Sequence, residues 1–173
     1  AGLYSLWSIA ITSAAAFALA PVRREAVLPE AAAGAEVAAA SLAFAESPDG
    51  PALFVAERGA PRNLGLSARS PFAAPHAARV LRLRLSQSGL WEIEGRYDVG
   101  FYDRSREGPP HIRANAAGGV AVGFAHDAQG RLNGERFGEF VWMTADALCS
   151  PEGPCVAQDG SISDAGPANG VQG

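Results

Sequence analysis

Lysine is absent from this 173-residue sequence, and all 14 of its basic residues are arginine. Acidic residues outnumber them at 18, so the net charge is −4 and nothing in the charge balance favours nucleic-acid binding. The lack of lysine beside abundant alanine and glycine is typical of a GC-rich bacterial genome. Charged residues make up only 18% of the chain against 48% hydrophobic residues, which excludes a disordered polar tail.

Cysteine is also scarce. Cys149 and Cys155 are the only two, and a pair of thiols cannot make a four-ligand zinc site. They flank a Pro/Gly-rich loop, so we expect a disulfide if the protein is exported, with free thiols as the alternative. So short a ring adds about 2 kcal/mol of stability.

Long uninterrupted apolar runs are missing as well. Leu3 to Ala20 is the nearest approach, but Ser5, Ser8, Thr12 and Ser13 interrupt it, so no stable membrane span is expected. Residues 1–30 are predicted to hold a strand pair, Leu3–Ile11 and Ala15–Val22. The alternative is a signal-peptide remnant, because Ala18-Leu19-Ala20 has the form of a cleavage site. Since the chain begins at Ala1 and stops at Gly173, we expect a fragment or a processed product.

Glycine and proline, by contrast, are plentiful, and they punctuate short apolar runs. This pattern predicts an all-β fold of short strands. In Val80–Tyr97, leucines alternate with arginines before Gly89, and Trp91 and Ile93 alternate with glutamates after it. A three-residue loop ending at Gly89 pairs Leu85 with Trp91, Leu83 with Ile93, Arg84 with Glu92 and Arg82 with Glu94.

Two further hairpins resemble each other. One joins Ser41–Glu46 to Ala52–Glu57, and the other joins Gly119–Phe124 to Glu139–Thr144. Each has an Ala/Gly-rich strand, a turn with Asp and Gly, and a bulkier second strand. The hairpins therefore alternate between two types along the chain, and two hairpins per repeat give four antiparallel strands.

Leu42-Ala43-Phe44, Ser47-Pro48-Asp49-Gly50 and Leu53–Glu57 resemble the "strand, S-P-D-G, strand" phrase of bacterial six- to eight-bladed β-propellers. The lactonase-like, quinoprotein-like and phytase-like groups share it. The resemblance implies antiparallel four-stranded blades, about two of them, as a partial propeller over 1–173. Residues 1–30 would belong to a first blade, 38–100 to a second, and 117–173 to the start of the next, with a Gly/Ser-rich tail. The long Gly59–Ala78 loop and the missing proline before Asp127 depart from the phrase.

The richest polar segment connects two predicted hairpins and contains Asp98, Asp103, His111, Arg113 and Asn115. His111, Arg113 and Asn115 alternate, so an extended backbone would let them meet an anion or polar ligand. The alternative is a solvated loop whose charges pair among themselves.

A metal ligand is a weaker expectation. Glu57 follows a strand as the cation-holding acids of lactonase-like propellers do, so the resemblance allows Ca²⁺; a surface salt bridge to Arg58 or Arg62 is the alternative. The three histidines, at positions 76, 111 and 126, lack metal-ligand spacing and are expected to lie in exposed loops. No nucleophile elbow, phosphate loop, zinc signature or EF-hand phrase is present, so no enzyme activity is assigned.

These observations lead to an expected periplasmic or secreted bacterial propeller module with a binding or assembly role. Its partners would be the remaining blades or other protein chains. The first alternative is a propeller-type hydrolase, of lactonase, phosphatase or phytase-like kind, that uses a divalent cation; a quinoprotein-like dehydrogenase fragment ranks below it.

Overall fold

The computed structural model describes residues 4–12, 16–31, 37–47, 49–59, 76–102, 113–148 and 170–173, and the regular structure within them is entirely β. The strands are β1 (Ser5–Ile11), β2 (Phe17–Val27), β3 (Val37–Ser47), β4 (Gly50–Gly59), β5 (Val80–Leu85), β6 (Trp91–Tyr97), β7 (Ala116–His126), β8 (Leu132–Ala145) and β9 (Gly170–Gln172). They form three antiparallel sheets, β1-β2, β3-β4-β5-β6 and β7-β8-β9. The all-β antiparallel prediction is confirmed. Over the described residues the three sheets do not close into a ring.

The β5–β6 hairpin follows its predicted register near the turn. Gly89 has a φ of 75°, and Leu85 pairs with Trp91, Arg84 with Glu92 and Leu83 with Ile93. Beyond that point a β-bulge shifts the strands, so Arg82 lies opposite Gly95 rather than Glu94. The Arg82–Glu94 ion pair still forms at 2.8 Å because the long guanidinium side chain reaches across the bulge.

The other predicted hairpins also form, but their strands begin and end at residues other than those predicted. β1 pairs with β2, as the strand-pair alternative for residues 1–30 predicted. β8 begins at Leu132, seven residues before the predicted start at Glu139. Its pairing with β7 is irregular, and Gly138, with a φ of 94°, lies within the irregular stretch. The alternation of side chains is therefore broken, and this broken pattern hid the first half of the strand from sequence analysis.

The three sheets stack in chain order. The third sheet covers the rear face of the middle one, whereas the first sheet covers only part of its front face, where Leu42 and Phe44 are 49% and 63% exposed. On its front face, Leu53, Val55, Leu81 and Leu83 pack against residues from the ends of the β1–β2 hairpin. On its rear face, alternate residues of the same strands pack against the third sheet, notably Ala52, Phe54, Ala56 and Val80. Alternating side chains point to opposite faces of a sheet, so one strand, β4, supplies both cores.

Short parallel bridges join the second and third sheets at one end. Ala78 bridges to Asn115 and Val99 to Ala114, with hydrogen bonds from Ala116 N to Ala78 O (3.1 Å) and from Val99 N to Arg113 O (3.1 Å). Cys149 and Cys155 lie outside the described residues, so the disulfide stays a prediction. No helix in the described part of the chain is long and apolar enough to cross a membrane.

Candidate binding faces and the polar clusters between sheets

Asn115 is the centre of a polar cluster where the second and third sheets are bridged. It is 1% exposed, and its Nδ2 donates to Val99 O (2.6 Å) and Tyr102 O (3.0 Å). Because two carbonyls accept from the same atom, that atom must be the amide nitrogen. The oxygen Oδ1 is thereby directed at the ring of His76.

The ring of His76 is consequently held in one orientation. Its Nδ1 bonds Asn115 Oδ1, which can only accept, so Nδ1 carries a proton. The ring stacks on Tyr102 with centroids 4.0 Å apart. Its backbone has a φ of 58°, a left-handed conformation that costs a non-glycine residue energy unless its surroundings enforce it.

Asp146 completes this cluster. Its Oδ1 lies 3.9 Å from His76 Nδ1, and the atom is buried with no hydrogen-bond partner among the described residues. Burial raises the pKa of this carboxyl above its ordinary value, and the nearby imidazole opposes that shift. Its backbone amide donates to Asn115 O at 3.0 Å, so the same asparagine residue holds both neighbours.

The cluster lies where long connections enter and leave the sheets. Three long connections begin or end here. One, residues 60–75, comes just before His76; another, residues 103–112, connects Tyr102 to Arg113; the third, residues 149–169, follows Leu148. Connecting segments on a rigid scaffold often carry binding residues. This end of the molecule therefore places His76 and Asp146 beside long connecting segments of the chain.

The predicted ligand residues are not all brought together. Asn115 turns inward to His76, whereas Arg113 is exposed with its guanidinium carbon 5.9 Å from the Phe101 ring centre. Asp98 pairs with Arg96 at 3.1 Å. His111 and Asp103 lie outside the described residues, so the convergence of His111, Arg113 and Asn115 remains a prediction.

Two of the three histidines are not exposed loop residues, contrary to expectation. His76 is half-buried in the cluster just described, and His126 is half-buried at the end of β7, edge-on to Phe140 at 5.0 Å. Sequence analysis missed His76 and Asp146 because their neighbours are distant in the chain; His76 lies 39 positions from its partner Asn115.

Glu57 is fully buried, so the expected surface salt bridge to Arg58 or Arg62 is wrong. Its Oε1 accepts from the Tyr4 hydroxyl and from Arg79 Nη2 at 2.7 Å, and its Oε2 accepts from Arg79 Nε at 2.8 Å and the Arg79 backbone amide at 3.0 Å. Arg79 also donates to Pro29 O at 2.9 Å. The cluster therefore ties the end of the β1–β2 hairpin to the middle sheet.

The contacts of Glu57 bear on whether this residue can bind the expected Ca²⁺. The described residues contain no group of three or more His, Cys, Asp or Glu side chains placed to hold a metal ion. Both carboxylate oxygens of Glu57 are occupied, and Ca²⁺ would have to displace Arg79 to reach them. A cation at Glu57 stays a prediction. Burial and the hydrogen bond to Glu57 raise the pKa of Tyr4 above its ordinary range.

The outer side of the first sheet presents a set of exposed apolar side chains, here called the β1 face. Ile9 pairs with Val22 and Ile11 with Phe17, so each pair shares one side of the hairpin, away from the Leu6 side that packs on the middle sheet. The β1 face consists of Trp7, Ile9, Ile11, Phe17 and Val22, of which Ile11 and Phe17 are about 70% exposed (69% and 71%).

The outer side of the third sheet presents a second set, here called the β8 face. Phe140 and Trp142 alternate with Val141 and Met143, which pack inward, and their rings lie 4.9 Å apart. Thr144, on the same side, pairs with Val171. The β8 face consists of His126, Leu132, Phe140, Trp142 and Val171, with Leu132 63% and Val171 57% exposed.

Comparisons with protein-family models, with curated proteins and with solved structures found no match to this chain.

Proposed function

We propose that this chain is a binding or assembly module whose two end faces are covered by further β-sheet, from the remaining blades of a propeller or from other protein chains. The observation that carries the proposal is the exposure of large apolar side chains on both the β1 face and the β8 face. Contiguous exposed apolar patches on a soluble protein mark interaction sites. The middle sheet also leaves Leu42 and Phe44 exposed, beside the part of its front face that the first sheet covers.

The propeller form of the proposal has its own support. The second sheet contains four antiparallel strands in chain order, the composition of a blade, and its neighbours pack face to face on either side of it. The first and third sheets supply two and three strands. The extracytoplasmic, bacterial location of the module depends on the resemblance in the sequence and on the expected disulfide.

An apolar fluorescent dye tests the proposal directly. The folded chain should bind the dye, and Ile11→Thr and Val171→Thr should each reduce the signal. Because both residues are exposed, each change should alter the free energy of unfolding by only about 0.5 kcal/mol. Val55→Thr, at a fully buried site, is the matched control and should destabilise the chain strongly. A folded chain that binds no dye, or exposed-site variants as unstable as the control, would contradict the proposal.

The hydrolase alternative is favoured by one specific observation. His76 directs its Nδ1 proton at Asn115, so Nε2 is the ring nitrogen that would have to act as the base in such a reaction. Hydrolysis of a model phosphate ester and a model lactone, with and without Ca²⁺, tests it. Activity that disappears in His76→Gln while the fold is retained supports this candidate. Equal rates in the two proteins, or none in either, reject it.

A further inference from the structure

The two end faces differ in form. On the β8 face a Cβ atom at Gly123 would lie 2.8 Å from Trp142 Nε1, and one at Gly119 would lie 2.7 Å from the Thr144 side chain. The side chains of Trp142 and Thr144 therefore lie across β7, and because Gly123 and Gly119 have no side chains, this part of the sheet surface protrudes little. On the β1 face, in contrast, Trp7 and Phe17 stand 60% and 71% exposed. A low apolar platform and a protruding apolar ridge are complementary in shape.

The same type of contact already occurs twice within the chain. The rear of the first sheet packs on the front of the second, and the rear of the second packs on the front of the third. The β8 face is the rear of the last sheet, and the β1 face is the front of the first. Five large apolar side chains on the β1 face, and four beside His126 on the β8 face, offer on the order of several hundred Å², near the ~800 Å² per partner of a standard interface.

Charged side chains make the β6 edge of the middle sheet unsuitable for association. Glu92, Glu94 and Arg96 are exposed along β6, and charges on an edge strand oppose strand addition.

We propose that the β1 face of one molecule docks on the β8 face of a second copy of this chain, head to tail, so that the stack of sheets continues across the contact. The inference rests on the proposed function, for which it names the partner. A head-to-tail contact leaves one free end of each kind, so further copies add until the stack closes into a ring or extends as a filament.

Variants that block one end each test the inference. Ile11→Glu blocks the β1 face and Val171→Glu blocks the β8 face. Leu90→Glu is the control because Leu90 is also an exposed apolar residue (43%) but lies in the β5–β6 turn, outside both faces. Circular dichroism confirms that each variant is folded, and Phe17→Lys replaces Ile11→Glu if that variant does not fold. Molar mass is measured by sedimentation over a wide range of protein concentration.

The expected result is that the unmodified chain and Leu90→Glu exceed the monomer mass of 17.8 kDa as concentration rises, whereas each end-blocked variant stays monomeric. A mixture of the two end-blocked variants should form a one-to-one dimer, because each supplies the face the other lacks. Dimerisation of Val171→Glu alone, with no mixed dimer, would overturn the inference in favour of β1-to-β1 pairing. A monomeric unmodified chain that still binds the apolar dye would overturn it too, while leaving the proposed function intact.

Discussion

At the scale of single residues, Arg79 connects three parts of the chain. It pairs with buried Glu57 on β4, donates to the carbonyl groups that follow β2, and lies one position before β5. Its hydrogen bonds to Glu57 raise the pKa of its guanidinium. Because Glu57 is fully buried, Arg79 stabilises the fold mainly by compensating a carboxylate charge that water cannot reach.

Arg79→Met should therefore destabilise the chain by about 3 to 5 kcal/mol, since it leaves an uncompensated buried carboxylate. Arg84→Met is the control, because the Arg84–Glu92 pair is exposed and its nitrogen–oxygen distance is 3.8 Å; it should cost about 1 kcal/mol or less. Adding Glu57→Leu to Arg79→Met should restore part of the loss. Urea unfolding measures all four proteins, and equal losses for the two arginine variants would contradict the assignment.

Tyr4 gives a prediction about pH. Its pKa is raised above the ordinary value near 10, first by burial and then by its bond to Glu57, so the folded chain holds the phenolic proton more tightly than the unfolded chain. Stability should be unaffected by this group below pH 10 and should fall as pH rises above that value. The absence of lysine removes one of the other side-chain types that titrate near pH 10.

Tyr4→Phe should abolish that alkaline decrease in stability. Unfolding measured at several pH values, together with tyrosinate absorbance, should show one tyrosine of the unmodified chain ionising late, and that late step should be absent from Tyr4→Phe. Identical alkaline slopes for Tyr4→Phe and the unmodified chain would show that Tyr4 is not held as described.

At the scale of elements, the β5–β6 hairpin depends on one backbone conformation. Gly89, at a φ of 75°, donates its amide to Ser86 O at 2.9 Å and closes the turn. An added Cβ would meet nothing within 4 Å, so any cost of Gly89→Ala comes from the backbone alone. We expect a loss of about 1 to 2 kcal/mol in the free energy of unfolding.

Gly95→Ala provides the matched control for that change. Gly95 lies in the same hairpin, also has open space around an added Cβ, and does not have a positive φ. It should be neutral or slightly stabilising, because alanine reduces the freedom of the unfolded chain. Thermal unfolding distinguishes the two substitutions, and a loss of similar size at both would refute the turn argument.

At the scale of the whole molecule, small residues set the approach of the second sheet to the third. Ala56 is completely buried and packs in the core that contains Val99 and Met143. Ala56→Leu should cost about 1 to 3 kcal/mol because the extra methyl groups force the sheets apart. Ala38→Leu, at an exposed site on β3, should change the free energy of unfolding by only about 0.5 kcal/mol. Chemical denaturation compares them, and no loss in Ala56→Leu would argue against this packing.

The local sequence by itself determined the all-β class and the near-turn register of the β5–β6 hairpin. Alternation and turn chemistry act over a few residues, so Leu83, Leu85, Gly89 and Trp91 were enough. The bulge at Gly95 and the early start of β8 were not predictable in this way, because bulges respond to how neighbouring strands twist and pack.

Only the tertiary structure decided which polar residues meet and which apolar faces remain uncovered. Glu57 is hydrogen-bonded to Tyr4, 53 positions away in the sequence, and His76 to Asn115, 39 positions away, so no local pattern could identify them as partners. The alternation of Trp7, Ile9 and Ile11 is visible in the sequence, yet an alternating strand does not reveal whether its apolar side is buried. That depends on the order in which the sheets stack, and the stack leaves these residues at its end.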